Sequence, residues 1–296
     1  MDLTLHLELH LAQATEAAAR VLLRAAPGSS VARVQGTIHG PTSAYARTLP
    51  AEYALSAAAH GEGGEWLASA VIPDPCYWTS ELPFLYEMRL TATLADGGAQ
   101  DGSHAIGLRR AEIHGANLRV ERRRTVLRGA VCGDAAASDL DAARGVEAAL
   151  IVAEPTPTLL QRASEIGVTL IPDLRRVGGA LLPKLLEHTW YPAIAVVLLD
   201  ERVDGEFRPP RDVPICQVMS ATTDGNKPVA RWARLVGVEL GPGERPPAWL
   251  ASCGKPVIAI RRGEPYAGYY QARAACDRLQ AELAPEFDLA GYFVAK

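Results

Sequence analysis

Residues 255–261 read KPVIAIR: a lysine and a proline, four consecutive apolar side chains from Val257 to Ile260, and a terminal arginine. A strand that is apolar at every position, instead of at alternate ones, has both faces buried, as parallel strands do when crossover helices cover them. Seven further runs are nearly as continuous: TVLRGAV (125–131), AALIVAE (148–154), VTLIPDL (168–174), AIAVVLLD (193–200), VPICQVMS (213–220), ARLVGVEL (233–240) and LAGYFVA (289–295). Among them, TPTLLQRASEIG (156–167), GGALLPKLLEHTW (178–190) and YYQARAACDRLQAELA (269–284) place apolar residues at helical spacing. Eight such strands predict a closed (β/α)8 TIM barrel over 101–296, shortened because it falls just under the roughly 200 residues usual for that architecture. The shortening shows at ERVDGEFRPPRD (201–212), which is polar, proline-rich and too short for a helix with its turns. The barrel wall is expected to be thin there, leaving apolar strand surface for a second copy or a protein partner to cover.

Before residue 100 the period changes. LTLHLELHL, ARVLLRAA, SVARVQGTIHG, ARTLPAEYAL, GEWLASAVI and LYEMRLTATL are short, mostly alternating, and several are separated by Gly, Pro and Ser. They predict an immunoglobulin-like antiparallel β-sandwich over 1–100, with the Gly- and Asp-rich ADGGAQDGSHA (95–105) as the hinge into the barrel. The expected fold class is therefore multidomain β plus α/β.

The 296 residues are 48% hydrophobic and 22% charged with a formal net charge of -4, the profile of a globular chain with no strong pull toward nucleic acid. The opening MDLTLHLELHLAQ alternates like a strand and lacks the parts of a secretory signal, and no apolar run reaches the ~20 residues of a membrane span. A cytoplasmic location without membrane contact is expected. The five cysteines, Cys76, Cys132, Cys216, Cys253 and Cys276, contain no CxxC pair and are read as reduced thiols. The histidines show no close ligand spacing, so neither a metal nor a cofactor is expected. RVERRRT (119–125) reads as a solvated basic hairpin, and DGNKP (224–228) lacks the pattern of a phosphate loop.

Three segments in order resemble the family-2 glycoside hydrolases, the clan of β-galactosidases, β-mannosidases and β-glucuronidases. DPCYWTSELPFLYEMRL resembles the family's sandwich signature through Pro75, Trp78, Glu81, Pro83, Leu85 and Tyr86. IGLRRAEIHGANLRVERRRTVLRGAV resembles the linker into the barrel, with Gly107-Leu108-Arg109 for Gly-Phe-Arg, and EPTPTLLQRASEIGVTLIPDL resembles the passage from the second barrel strand to the third. The resemblance covers about residues 65–296 and implies a sandwich followed by a TIM barrel, with the family's leading sugar-binding jelly roll absent. Trp78 and Tyr86 are read as core residues with locally bonded polar tips, not as a sugar platform.

In the family the two catalytic carboxylates end the fourth and seventh barrel strands. The resemblance lays the acid/base position on Arg202, after Asp200 and Glu201, and the nucleophile position on Arg261, followed by Arg262 and Gly263. A guanidinium is always protonated and offers only donors, so it neither attacks an anomeric carbon nor takes a proton from water. No catalytic residue is expected at the family positions. Two such cations about 5 Å apart would repel by about 3 kcal/mol at an effective dielectric near 20. Relief is open to three sources: outward rotation, pairing with Glu154, Asp173, Asp200, Glu201 or Glu264, or a bound anion. The candidate ligand-binding residues are Arg202, Arg261, Arg262, Glu154 and Asp173. The expected function is that of a non-catalytic pseudoglycosidase with a carbohydrate-binding, anion-binding or assembly role. The alternatives are an anionic-sugar binding module and an active retaining-type β-glycosidase with relocated carboxylates, for which Asp200, Glu201 and Glu264 are the fallback residues.

Overall fold

The computed structural model describes residues 3, 6–58, 66–177, 181–203, 206–210, 212–222 and 229–296, so DGNKP and part of 201–212 lie outside the described residues. The chain divides into two compact units: Met1–Arg110 with Ala180–Pro192 and Pro210–Asp212, and Ala111–Gly179 with Ala193–Pro209 and Val213–Lys296.

The first unit is built on one curled antiparallel sheet of seven strands: β1 (Leu7–Ala14), β2 (Ala18–Ala25), β3 (Val31–Thr42), β4 (Ala51–Ala57), β5 (Trp66–Pro73), β6 (Leu85–Leu94) and β7 (Ala99–Ile106). Their order is β1-β2-β5-β4-β3-β6-β7. β4 joins the two layers, because Ala51–Leu55 pair with β3 while Ser56 and Ala57 pair with β5. This is the strand arrangement of an immunoglobulin-like sandwich. Alternate side chains fill the interior, among them Val21, Ile38, Ile72, Met88 and Ala92.

The signature residues of this half knot together. Tyr86, near the start of β6, is buried and its hydroxyl accepts from the backbone N–H of Cys76 at 2.9 Å, the tie of a tyrosine corner. Trp78 is buried, donates its backbone N–H to the Leu108 carbonyl at 2.6 Å and carries the Arg109 guanidinium 5.4 Å above its ring. Arg109 also donates to the Pro192 carbonyl at 3.0 Å, and burial pushes its pKa down to about 10. Both aromatic side chains are thus core residues, Tyr86 from β6 and Trp78 from the irregular segment that precedes it.

The expected hinge is corrected. Residues 95–98 turn, and the rest of ADGGAQDGSHA forms most of β7, paired along β6 from Tyr86↔Ile106 to Thr93↔Ala99. β7 lies at the edge of the sheet, so its polar side chains face solvent and give a strand the composition of a loop.

The second unit opens with a small sheet of β8 (Ala111–His114), β9 (Asn117–Val120) and β10 (Arg123–Arg124), where Arg119, Arg122, Arg123 and Arg124 are exposed. Eight parallel strands then close a barrel: β11 (Leu127–Cys132), β12 (Ala149–Ala153), β13 (Leu170–Asp173), β14 (Val197–Asp200), β15 (Ile215–Ser220), β16 (Leu235–Leu240), β17 (Val257–Arg261) and β18 (Gly291–Val294). Among the described residues four helices occur between them in sequence: α1 (Ala137–Arg144), α2 (Pro157–Ile166), α3 (Leu181–His188), which belongs to the first unit, and α4 (Tyr269–Leu283). α2 starts where the Thr156 hydroxyl accepts the Leu159 N–H at 3.3 Å with Pro157 in the first turn, and stops at Gly167, whose φ of 78° suits a residue without Cβ.

Alternation assigns each barrel side chain to one of two cores. Ile151, Ile171, Leu198, Cys216, Val218, Leu235, Ile258, Ile260 and Phe293 pack inside the barrel, with Ile113 and Leu118 of the small sheet in the same cluster. Ala130, Val236, Val238, Val257, Ala259, Tyr292 and Val294 face outward, in a cluster with Ala272, Ala275, Cys276, Leu279 and Leu283 of α4. Among the described residues no helix joins β14 to β15 or β15 to β16. The expected bare wall is nevertheless not found: Val197, Leu199, Ile215 and Met219 are all buried. On β15 the Gln217 Oε1 accepts the Ala230 N–H at 2.7 Å and Val229 packs against the outward cluster to which Met219 belongs, so irregular chain contributes cover where a helix would stand. No helix among the described residues is long and apolar enough to cross a membrane.

Candidate functional site

The C-terminal ends of the barrel strands carry the charged residues. β13 ends on Asp173 and β14 on Asp200, and each aspartate is followed two residues later by an arginine that folds back on it. At Asp173, Oδ1 accepts from the backbone N–H of Arg175 (3.2 Å) and from its Nε (2.8 Å), while Oδ2 accepts from Nη2 (2.6 Å). At Asp200 the same three contacts from Arg202 measure 2.8, 2.9 and 3.0 Å. Adjacent strands thus end in the same Asp-x-Arg fork, a planar guanidinium matched edge-on to a carboxylate.

The two arginines differ in what they do next. Arg175 is largely buried, and its Nη1 donates to Oε1 of Glu239 on β16 at 2.7 Å. Arg262, the residue after β17, donates from Nη2 to the same oxygen. A chain Asp173–Arg175–Glu239–Arg262 therefore crosses the barrel mouth, two negative charges and two positive. The Arg202 side chain is 81% exposed and pairs with Asp200.

These contacts set the charge states. Burial works to raise the pKa of Glu239, but hydrogen bonds from Arg262 and Arg175 outweigh it and the pKa is lowered. Asp200 is held below the usual carboxylate range first by its hydrogen bonds from Arg202, with a further contribution from Arg175. The Asp173 hydrogen bonds raise the pKa of Arg175, while burial pushes the Cys216 thiol up and leaves it inert.

Arg261 does not join this group. It shares its face of β17 with Val257 and Ala259, so its buried guanidinium turns outward and meets Glu282 of α4 at 3.1 Å and the Glu244 carbonyl at 3.0 Å. The expected opposition of Arg202 and Arg261 is thereby corrected: each has a carboxylate of its own, and the inward direction at the end of the seventh strand belongs to Arg262. Glu264 likewise pairs with Arg278 of α4 at 3.1 Å. Glu154 is exposed just past β12 with φ 41°, and Glu201 is exposed beside Asp200.

Of the residues expected from sequence, Asp173 and Arg262 are brought into one network and Asp200 lies beside it. Arg175 and Glu239 were missed. Glu239 was legible as the one charge in the otherwise apolar ARLVGVEL after its opening arginine, and Arg175 through the spacing that PDLR shares with LDER. A shallow groove of about 520 Å³ on the sandwich, over Thr37, Arg89, Thr91, Asp101 and Ser103, is a weaker candidate. Its arginine is bonded to Glu87 and its aspartate to Thr91. Among the described residues no group of three or more metal-ligating side chains comes together.

The geometry defines an antiparallel sandwich and a closed eight-stranded parallel barrel with an ionic cluster at the barrel mouth. No family model and no curated protein matches the sequence. Among solved structures, a β-glucuronidase of Parabacteroides merdae superposes with TM-score 0.61 at 10% identity, over 98% of this chain and 46% of that one. A glycosyl hydrolase family 2 member from Bacteroides cellulosilyticus gives 0.64 at 13%, over 99% and 43%. The β-glucuronidase of Ruminococcus gnavus in complex with D-glucuronic acid gives 0.65 at 11%, over 98% and 60%. The fold is that of the sandwich and barrel of family-2 glycoside hydrolases, and the chain spans about half of the first two of these proteins, 46% and 43% of their lengths.

Proposed function

We propose that the protein is a pseudoglycosidase, which holds a carbohydrate at the barrel mouth without cleaving its glycosidic bond. The observation that carries this reading is the pairing of Asp173, Asp200 and Glu239, each bonded to an arginine. Glycoside cleavage needs one carboxyl group that delivers a proton and a second that attacks or activates water, in retaining enzymes about 5–5.5 Å apart. Both oxygens of Asp173 and both of Asp200 accept guanidinium N–H groups, and Glu239 has its pKa lowered, so none is set up as a proton donor. The ends of the fourth and seventh strands present Arg202 and Arg262 to the mouth. Carbohydrate as the ligand class draws support from the fold, since the Ruminococcus gnavus enzyme carries D-glucuronic acid in one structure and D-glucaro 1,5-lactone in another.

The rival, a hydrolase with relocated carboxylates, would draw on Asp200, Glu201 or Glu264, of which Asp200 is bonded to Arg202 and Glu264 to Arg278, or on Asp173 and Glu239, which one guanidinium bridges. A panel of aryl β-glycosides, uronides included, separates the two. No turnover above buffer is expected. Turnover that disappears in Asp200→Asn, Glu201→Gln, Glu264→Gln, Asp173→Asn or Glu239→Gln overturns the non-catalytic reading.

A further inference from the structure

Glu239 and Asp173 both bind Arg175, yet they hold it differently. Asp173 has a short side chain at a strand end, and three donors of Arg175 fix it. Its effect is to orient the guanidinium so that Nη1 points across the mouth before any other group arrives. Glu239 takes that remaining N–H and one from Arg262, both on the single oxygen Oε1. Two cationic donors from different strands thus converge on one point, the arrangement by which guanidinium groups bind an oxyanion. The group now occupying the point is a long side chain still 26% exposed, near the open end of the barrel. Arg262 is 48% exposed, and its Nε and Nη1 have no hydrogen-bond partner among the described residues.

We propose that the convergence of Arg175 and Arg262 is an oxyanion seat held shut by Glu239, which yields its place to the carboxylate or phosphate group of an incoming ligand. This rests on the proposed function in taking the mouth as the ligand site, and adds to it a charged ligand class and an internal competitor. With Glu239 in place the chain of four groups is neutral. With Glu239 swung out the seat carries one net positive charge, which a monoanion restores to zero. Arg262 has further N–H groups for the additional oxygens of a phosphate. Competition by a tethered carboxylate makes the wild-type protein a weak anion binder.

The test measures binding of D-gluconate, D-glucose 6-phosphate and uncharged D-glucose by titration calorimetry at low salt. The proteins are wild type, Glu239→Gln, Glu239→Gln/Arg262→Gln and, as a control on the outward face of β17, Arg261→Met. Glu239→Gln is expected to bind at least one of the two anions tenfold or more tighter than wild type, with D-glucose unchanged. Removing Arg262 should abolish the gain, and Arg261→Met should match wild type. Tightening for gluconate alone marks a carboxylate seat, and tightening for the sugar phosphate marks a phosphate seat. No gain for either anion, or a gain that survives the loss of Arg262, overturns the proposal. If Glu239→Gln does not fold, Glu239→Asp, one methylene shorter, carries the same expectation and the same refutation. Turnover of aryl glycosides bears only on the proposed function, so the two readings fail separately.

Discussion

Replacing Arg175 by methionine would remove a side chain that ties the end of β13 to β16 across the mouth. The substitution keeps an unbranched stem of similar bulk and deletes the guanidinium, so the apolar packing is largely retained. Asp173 loses two of its three hydrogen bonds from residue 175, keeping the backbone one at 3.2 Å, and Glu239 keeps Arg262 alone. Two carboxylates that one cation bridged then stand together with little compensation. Breaking a fully buried pair costs about 3–5 kcal/mol, and these side chains retain about a fifth to a quarter of their exposure, so solvent screening reduces the expectation to about 2 kcal/mol. For a unit of this size that is a fall of about 4–8 °C in the melting midpoint. Far-UV circular dichroism melts at neutral pH would read it. Arg175→Met/Asp173→Asn, which also removes one stranded charge, should recover more than half of the loss. A loss below about 0.5 kcal/mol, within the range of ordinary surface substitutions, would show that the bridge is incidental.

Two further outcomes are expected from the first unit. His188 is buried, and burial foremost, with Lys184 adding, depresses its pKa to about 3. Between the ordinary value of about 6.5 and that depressed value the unfolded chain takes up a proton that the folded chain refuses, so the stability is complete above about pH 6.5 and declines as the pH falls. Denaturation midpoints measured down this range should slope less in His188→Leu than in wild type, and equal slopes would refute the assignment. Gly107→Ala would place a Cβ 2.4 Å from Pro192 Cγ and 3.2 Å from Trp78 Cβ, an overpacking expected to cost about 1–3 kcal/mol. A variant with an unchanged melt would mean that the Trp78–Arg109–Pro192 knot is looser than its distances imply.

The barrel was legible because parallel strands bury both faces, so the eight appear in the sequence as short, nearly continuous apolar runs. The same property hid the site. In a strand such as VIAIR nothing marks which parity faces the lumen, and counting along a motif places Arg261 at the mouth while alternation with Ala259 and Val257 turns it toward α4. Arg262, one residue later, takes the inward direction. β7 reads as a loop for the converse reason, since its polar outward face hides a strand inside a run of Gly, Asp and Ser. Within ASDLDAAR of α1 only Leu140 and Ala143 are buried, too few to register as a helical stripe. Arg175 and Glu239 escaped attention because neither occupies a position the family resemblance points to, and their pairing is made by two strands far apart in the chain.

The small sheet ahead of the barrel has a bearing on traffic through it. Ile113 and Leu118 belong to the same apolar cluster as the inward side chains of the barrel strands, and Thr125 donates its N–H to the Leu118 carbonyl at 2.9 Å. The barrel is therefore a blind well with a greasy floor, filled to just below its rim. A ligand held at the arginines, as proposed, would meet packed apolar side chains beneath it and would have to leave by the route it entered.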